Sequence, residues 1–251
     1  MKSNTIKLSA VSSLHYFKLF YRSVLLIVAA LFYVTDRIGS RNGLYQGLQK
    51  HRWLLLIIWI IYAVEMILRF FPSELESMGS QKQFARNYQP SGRTELNLTS
   101  PWRTFAATAA WLALNGLFGL LFFRKIIDRD ILVLISLAYG VCDMVCILFF
   151  CPFQTFILKN RCCTDCRIYN WDYAMMFTPF LFLPHLYTWS LLGMSLILLA
   201  RWEITYHLHP ERFSIWTNAG MSCRTCKEKL CHHKKQLQGF WKKNKELIRR
   251  F

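Results

Sequence analysis

Three apolar runs, each long enough to cross a membrane, constrain the fold of this chain more than any other feature. They cover residues 53–71, 104–123 and 131–151. A crossing helix needs about 20 mostly apolar residues to span a hydrocarbon core of roughly 30 Å, and each run meets that length. The chain is 54% hydrophobic and 18% charged, whereas soluble domains are roughly 45–50% apolar and about 25% charged. The sequence therefore excludes an ordinary soluble enzyme and predicts an integral membrane protein.

The first apolar segment is shorter than these runs. Residues 23–35 form an uncharged stretch of 13 residues between Arg22 and Asp36. As a helix it reaches only about 20 Å, less than the thickness of the hydrocarbon core. Three interpretations remain open: a short span, a helix that lies flat at the interface, or a cleaved signal peptide.

The last apolar stretch is interrupted by Pro179 and Pro184. Proline removes a backbone donor and kinks a helix. We therefore expect one crossing, over residues 183–199, and not two. The predicted fold is all-α: a polytopic transmembrane helix bundle of four or five spans in residues 1–200, followed by a basic cytoplasmic tail over residues 201–251.

The distribution of basic residues predicts the orientation. The chain has 31 Lys and Arg against 14 Asp and Glu, and cytoplasmic segments of membrane proteins carry an excess of Lys and Arg. If all five segments cross, 11 basic residues face one side and 19 the other; if residues 23–35 lie flat, the split is 7 against 23. Both arrangements predict a cytoplasmic C-terminus in the plasma membrane, with the loop after residues 131–151 on the outer face.

Soft metal ligands cluster in the tail. Cys223, Cys226, Cys231, His232 and His233 lie within 11 residues. Zinc takes four thiolate or imidazole ligands in tetrahedral sites, and Cys-X2-Cys pairs are typical of them. The sequence predicts a zinc site formed by Cys223, Cys226, Cys231 and His232. The alternatives are an iron–sulfur cluster and a reduced segment without metal.

A second Cys-X2-Cys pair, Cys163 and Cys166, follows the third long run. The neighbouring Lys159 and Arg167 favour the thiolate form of these cysteines, and hence thiol–disulfide exchange. This pattern predicts a redox-active pair on the outer face, and the alternative is a structural disulfide that involves Cys151. A single zinc site shared with the tail would require the last apolar stretch to turn back without crossing.

Ionisable side chains inside the predicted spans need partners, since each costs about 2.5–3.5 kcal/mol on insertion scales. Glu65 has Arg69 four residues later in the same helix, a spacing that favours an ion pair. Asp143 and His185 lack such neighbours, so a contact between them is predicted as an intramembrane functional site. The alternative is that Asn115 and nearby hydroxyl groups satisfy them. A lone buried histidine does not suffice for a haem, and no haem is predicted.

The end of the tail has the pattern of a basic amphipathic helix over residues 234–251. Such helices bind anionic membrane surfaces. A soluble protein partner is the alternative, whereas nucleic acid is not expected because no recognition fold accompanies the charge. Residues 72–103 are polar and are predicted to form a solvent-exposed loop.

These patterns predict no particular reaction, so whether the chain is an enzyme stays open. The first functional hypothesis is a membrane protein whose metal-binding tail serves interaction or senses redox state or metal. The second is a membrane thiol–disulfide or electron-transfer oxidoreductase that uses Cys163 and Cys166. The third is a small transporter that uses Asp143 and His185.

Overall fold

The structure, a computed structural model, describes residues 9–39, 51–160, 162–222 and 226. Regular structure in these ranges is helical, which confirms the all-α prediction. Six helices form the frame: α1 (Ala10–Gly39), α2 (Arg52–Leu68), α3 (Pro101–Phe123), α4 (Arg129–Leu148), α5 (Asp172–Phe177) and α6 (Leu186–Leu208). Short helical turns lie at Met78–Gln81, Ala85–Asn87, Phe153–Leu158, Tyr169–Trp171, Thr178–Phe182, Pro210–Arg212 and Ala219–Met221.

Three of the helices are long and apolar enough to cross a membrane, which indicates a membrane protein. They are α1 over Ala10–Thr35, α3 and α4. The predicted runs 104–123 and 131–151 agree with α3 and α4 to within three residues at each end. Local signals explain these boundaries: Pro101 occupies the first turn of α3, and the Asp128 side chain caps α4 by accepting from the backbone N–H of Ile131.

Helix α1 corrects the prediction of a short segment at residues 23–35. It has 30 residues and continues through Lys18 and Arg22, which are only 5% and 1% exposed. The two basic residues therefore face the interior of the bundle and do not end the helix. Large apolar side chains of α1 point outward instead, among them Phe17 and Leu31. An apolar outer face and a polar inner face fit a helix surrounded by lipid.

The last apolar stretch passes through the bundle twice, contrary to the single pass predicted over residues 183–199. Asp172 binds Arg69 at the end of α2, and Phe182 packs against Phe122 at the opposite end of the bundle. Helix α6 then returns, so that Trp202 donates to the carbonyl of Arg167. A 3-10 turn rises about 2.0 Å per residue, so α5 and the turn Thr178–Phe182 together reach about 20 Å.

Three connecting segments meet at one end of the bundle and form what we call the cap: residues 72–100, 149–171 and 209–222. The backbone N–H of Ala219 donates to the carbonyl of Gln89 at 2.7 Å, beside the bridge between Pro90 and Asn218. The N–H of Asn97 donates to Ser214 Oγ at 3.2 Å. The prediction that the loop after α4 and the start of the tail lie on opposite faces is therefore wrong, because the chain doubles back between them.

The first cap segment is only partly the solvent-exposed loop that its polar composition predicts, because residues 89–97 are exposed whereas residues 79–84 are buried. Gln81, Lys82 and Gln83 are all buried. The one-turn helix Met78–Gln81 is capped by Ser77, whose side chain accepts from the N–H of Gly79. Buried polar side chains require hydrogen-bond partners, and the neighbouring cap segments supply several of them.

Candidate functional site at the cap end of the bundle

Arg22 is the centre of a charge network inside the bundle. Its Nη2 lies 2.9 Å from Glu65 Oε2, and its Nη1 lies 3.2 Å from Asp143 Oδ2. The same Nη1 donates to the carbonyl of Gly140 at 3.1 Å. One guanidinium thus joins α1, α2 and α4, and its planar array of donors suits this role.

The network extends from Arg22 towards the cap. Lys18 Nζ lies 3.5 Å from Glu65 Oε1 and 3.4 Å from Glu76 Oε1. Arg69 Nη1 donates to Asp172 Oδ1 at 2.7 Å, and its Nε lies 3.8 Å from Glu76 Oε2. The pairing of Glu65 with Arg69 that their spacing predicts is therefore replaced by contacts to other helices.

Asp143 and His185, predicted to touch, share no hydrogen bond in the structure, which describes both residues. Asp143 contacts Arg22 near the cap end of α4. His185 lies before the first turn of α6, where its Nδ1 accepts from the N–H of Tyr187 and its ring stacks on the Tyr187 ring at 5.4 Å. The intramembrane site predicted from these two residues is not assembled.

A cavity of about 120 Å³ lies beside the network, between α3, α4, α5 and the cap. We call it the cysteine cavity, because five cysteines line it. Asp143 and Asp172 of the charge network line it as well, together with aromatic side chains such as Trp111. The cysteines are Cys142, Cys146, Cys151, Cys163 and Cys166.

The thiols of the cysteine cavity are free, and two of them are in contact. The side chains of Cys146 and Cys151 interact with each other, and neither cysteine forms a disulfide. Cys163 Sγ lies 3.6 Å from Gln154 Oε1. Cys146 lies in the last turn of α4, whereas Cys151 and Cys163 belong to the cap. A chemical change at one of these thiols can therefore affect both α4 and the cap.

Cys166 differs from the reactive thiolate that its basic neighbours predict. Its side chain is buried, and burial raises the pKa of the Cys166 thiol to about 12. Desolvation outweighs the attraction of nearby positive charge in this position. At neutral pH Cys166 is therefore a thiol, which attacks disulfides poorly.

Lys82 binds the cap segment that contains Cys163 and Cys166. Its Nζ donates to the carbonyls of Thr164 at 2.7 Å and Cys166 at 2.9 Å, and it lies 5.3 Å from the centre of the Trp202 ring. Burial lowers the pKa of Lys82 from 10.5 to about 8. A polar loop segment thus acquires a buried anchor that the sequence pattern does not reveal.

The predicted zinc ligands fall largely outside the described residues. Three of the four lie outside those ranges: Cys223, Cys231 and His232. The fourth, Cys226, is described and comes four residues after the last cap segment in the sequence. Among the residues that the structure describes, no group of three or more His, Cys, Asp or Glu side chains is placed to hold a metal ion. The predicted surface helix over residues 234–251 also lies outside the described ranges.

Sequence reasoning missed the basic residues of this site and found some of the acidic ones. Lys18 and Arg22 are spaced by four residues on the buried face of α1, which also contains Val11 and His15. That spacing was available as a signal, because residues four apart share one face of a helix. The chain matches no protein family model, no curated protein and no solved structure.

Proposed function

We propose that the chain is a multi-pass membrane protein whose cap senses the redox state of the cytoplasm through the cysteine cavity. The observation that carries this proposal is the convergence of five free thiols from α4 and the cap on one cavity. Two of them, Cys146 and Cys151, already touch. A pair of thiols in contact can close to a disulfide with little movement of the chain.

The distribution of charge supports a cytoplasmic position for the cap. By position in the sequence, 19 of the 31 basic residues belong to the N-terminus, the cap segments and the tail, and Arg103 and Arg201 lie at the cap ends of α3 and α6. Three lie within the bundle, and seven lie between residues 37 and 52 or between residues 124 and 129, towards the opposite end. Cytoplasmic segments carry the excess of Lys and Arg. The cytoplasm keeps thiols reduced, and disulfides formed there are usually transient and sensory or catalytic.

The proposed step is oxidation of the Cys146 and Cys151 thiols by a small-molecule disulfide. The Cys151 thiol, which belongs to the cap, attacks one sulfur of the oxidant as it loses its proton and releases one thiol; the Cys146 thiol then loses its proton, attacks the Cys151 sulfur of the mixed disulfide and releases the second. One disulfide is thus reduced to two thiols while the protein dithiol becomes a disulfide, and the two protons pass to the leaving thiolates. The new bond joins the last turn of α4 to the cap and changes the shape of the cavity.

The other functional hypotheses have less support from the geometry. An exchange enzyme that uses Cys163 and Cys166 needs a thiolate there, and burial of Cys166 opposes its ionisation. A transporter centred on Asp143 and His185 needs the two side chains in one place, and they contact different residues.

The redox proposal is tested by counting labelled thiols. Trypsin cleaves after Arg129 and Lys159, and the peptide between them contains Cys142, Cys146 and Cys151. After treatment of membranes with a permeant aromatic disulfide and removal of the oxidant, we expect one labelled cysteine in this peptide and the loss of two hydrogen atoms. In Cys142→Ser, the matched control, the disulfide should still form, and in Cys146→Ser it should not. Three labelled thiols after oxidation of the wild-type protein contradict the proposal.

Zinc binding by the tail is a separate proposal, for Cys223, Cys226, Cys231 and His232. It gains support from the sequence position of the ligands, because Cys223 comes immediately after the last cap segment, at the face that we assign to the reducing cytoplasm. Elemental analysis of anaerobically purified protein should give about one zinc per chain, the content of a single tetrahedral site. The zinc should be lost in Cys223→Ser and retained in Cys163→Ser. Metal-free wild-type protein contradicts this proposal.

A further inference from the structure

The charge network inside the bundle is not balanced. Its cations are Lys18, Arg22 and Arg69, and its carboxyl groups are Glu65, Glu76, Asp143 and Asp172. The ion pairs that these residues make with described partners close within this set of seven. If every group were ionised, three positive charges would face four negative charges. A net buried charge costs much more free energy than a balanced pair, and carboxyl groups in such positions become neutral instead.

His15 lies beside the network and does not supply the missing charge through any ion pair. It is 3% exposed, and neither ring nitrogen has a hydrogen-bond partner among the described residues. It lies on the same buried face of α1 as Lys18 and Arg22, and it interacts electrostatically with Glu76. The positive charges around it oppose its protonation. His15 is thus a second buried proton-binding group beside the network. It adds no positive charge, so the network still has one more carboxyl group than it has cations.

The contacts distinguish Asp143 from the other carboxyl groups. Glu65 contacts two cations and also accepts from the Tyr173 hydroxyl at 2.9 Å. Glu76 lies between Lys18 and Arg69. Asp143 contacts Arg22 alone, at 3.2 Å, and Arg22 also binds Glu65 more closely. Of the four, Asp143 therefore receives the least compensation for a negative charge.

Asp172 is the nearest competitor for a neutral form, and its contacts argue against it. Arg69 Nη1 donates to Asp172 Oδ1 at 2.7 Å and lies 2.6 Å from its Oδ2. Such short contacts between a guanidinium and a carboxylate are typical of a fully charged pair. Arg69 and Asp172 also interact electrostatically with Asp143. The remaining titratable groups near it are the thiols of Cys142 and Cys146, and thiols are neutral at neutral pH.

We propose that the network holds one proton at neutral pH and that Asp143 carries it. Asp143 also lines the cysteine cavity, and its side chain is 16% exposed, against 12% for Glu65, 8% for Glu76 and 6% for Asp172. It is therefore the most accessible of the four carboxyl groups. The bundle then contains an exchangeable proton site between its charge network and its thiols. The site does not depend on thiol oxidation, since the charge count is the same when all cysteines are reduced.

Infrared spectroscopy tests the proposal on the full chain in lipid vesicles, kept under reducing conditions at neutral pH. A protonated carboxyl group gives a carbonyl band that shifts in deuterated water. We expect the wild-type protein to show this band and Asp143→Asn to lack it. Glu203→Gln is the matched control, because Glu203 pairs with Arg167 outside the network, and it should keep the band. A band that survives in Asp143→Asn, or its absence from the wild-type spectrum, overturns the proposal.

Thermal unfolding provides a second readout that does not depend on assigning a band. An amide resembles a neutral carboxyl group, so Asp143→Asn should leave the unfolding midpoint unchanged, whereas Asp172→Asn should lower it by breaking a charged pair. An equal drop in both variants overturns the proposal. A wild-type midpoint that rises with sodium concentration but not with potassium also overturns it, because a bound cation would then balance the charge.

Discussion

Buried positive charge is stabilised differently in the bundle and in the cap. In the bundle, Arg22 lies between the carboxyl groups of Glu65 and Asp143. In the cap, Lys82 makes no ion pair with a described carboxylate and is held by the carbonyls of Thr164 and Cys166. Arginine stays protonated in proteins, whereas a buried lysine can lose its proton. Arg22 in the bundle therefore requires carboxyl groups of opposite charge. Lys82 in the cap is stabilised by backbone carbonyls and the Trp202 ring.

The largest expected effect comes from removing the cation of the bundle. Arg22→Met leaves the Glu65 carboxylate buried with less compensation, and breaking a buried pair in this way costs about 3–5 kcal/mol. We expect a loss of that size in the free energy of unfolding, measured by SDS titration in mixed micelles. Arg86→Met, at an exposed arginine of the cap, should change it little. Equal effects of the two variants would show that the network contributes no special stability.

Removal of the cap cation should cost less. Lys82→Met deletes two hydrogen bonds, each worth about 1.5–3 kcal/mol for a charged donor, but it also removes the penalty of burying a charge. We expect a net loss of about 1–3 kcal/mol and faster alkylation of Cys166 as its loop loosens. Lys159→Met, at an exposed lysine of the same cap segment, should leave the labelling rate of Cys166 unchanged. An unchanged rate in Lys82→Met would mean that the loop does not need this anchor.

The sequence predicts the parts of this architecture that depend on local signals. The bounds of α3 and α4 follow from uninterrupted apolar runs, a proline in the first turn at Pro101 and a capping Asp128. The start of α1 does not follow, because Lys18 and Arg22 have the composition of a helix end, and only their distant partners Glu65 and Asp143 make them interior residues. Hydropathy counts charge and does not detect pairing.

The cysteine cavity depends on a long-range feature that composition does not encode. The sequence predicts Cys163 and Cys166 on one face and the tail on the other, because the stretch with Pro179 and Pro184 is too short for two full-length helices. In the structure, the 3-10 turn after α5 rises further per residue than an α-helix does, so a short segment reaches the opposite end of the bundle and α6 can return. One additional pass brings Cys163, Cys166 and the last cap segment to the same end of the bundle, and for this reason we propose one reducing compartment for both.

A smaller effect is expected where the bundle is held by close packing and not by charge. A Cβ at Gly119 would lie 2.4 Å from Phe182 Cζ, whereas a Cβ at Gly116, in the same helix, would meet nothing within 4 Å. Overpacking costs about 1–3 kcal/mol and alanine recovers roughly 1 kcal/mol of helix propensity. We expect Gly119→Ala to lose up to about 2 kcal/mol in SDS titration and Gly116→Ala to gain up to about 1 kcal/mol. Similar values for both would mean that α3 and the turn at Thr178–Phe182 are not in close contact.

The proton on Lys82 distinguishes the two kinds of cation most directly. Burial lowers the pKa of Lys82 to about 8 from 10.5, so between these values the unfolded chain binds more protons at this lysine than the folded chain does. Its contribution to the free energy of unfolding should therefore be constant below that window and rise with pH across it. Other groups titrate there too, so the quantity to measure is the stability of the wild-type protein minus that of Lys82→Met. This difference should increase with pH. A difference that falls as pH rises would mean that the charged form of Lys82 is the one the cap stabilises, as the bundle does for Arg22.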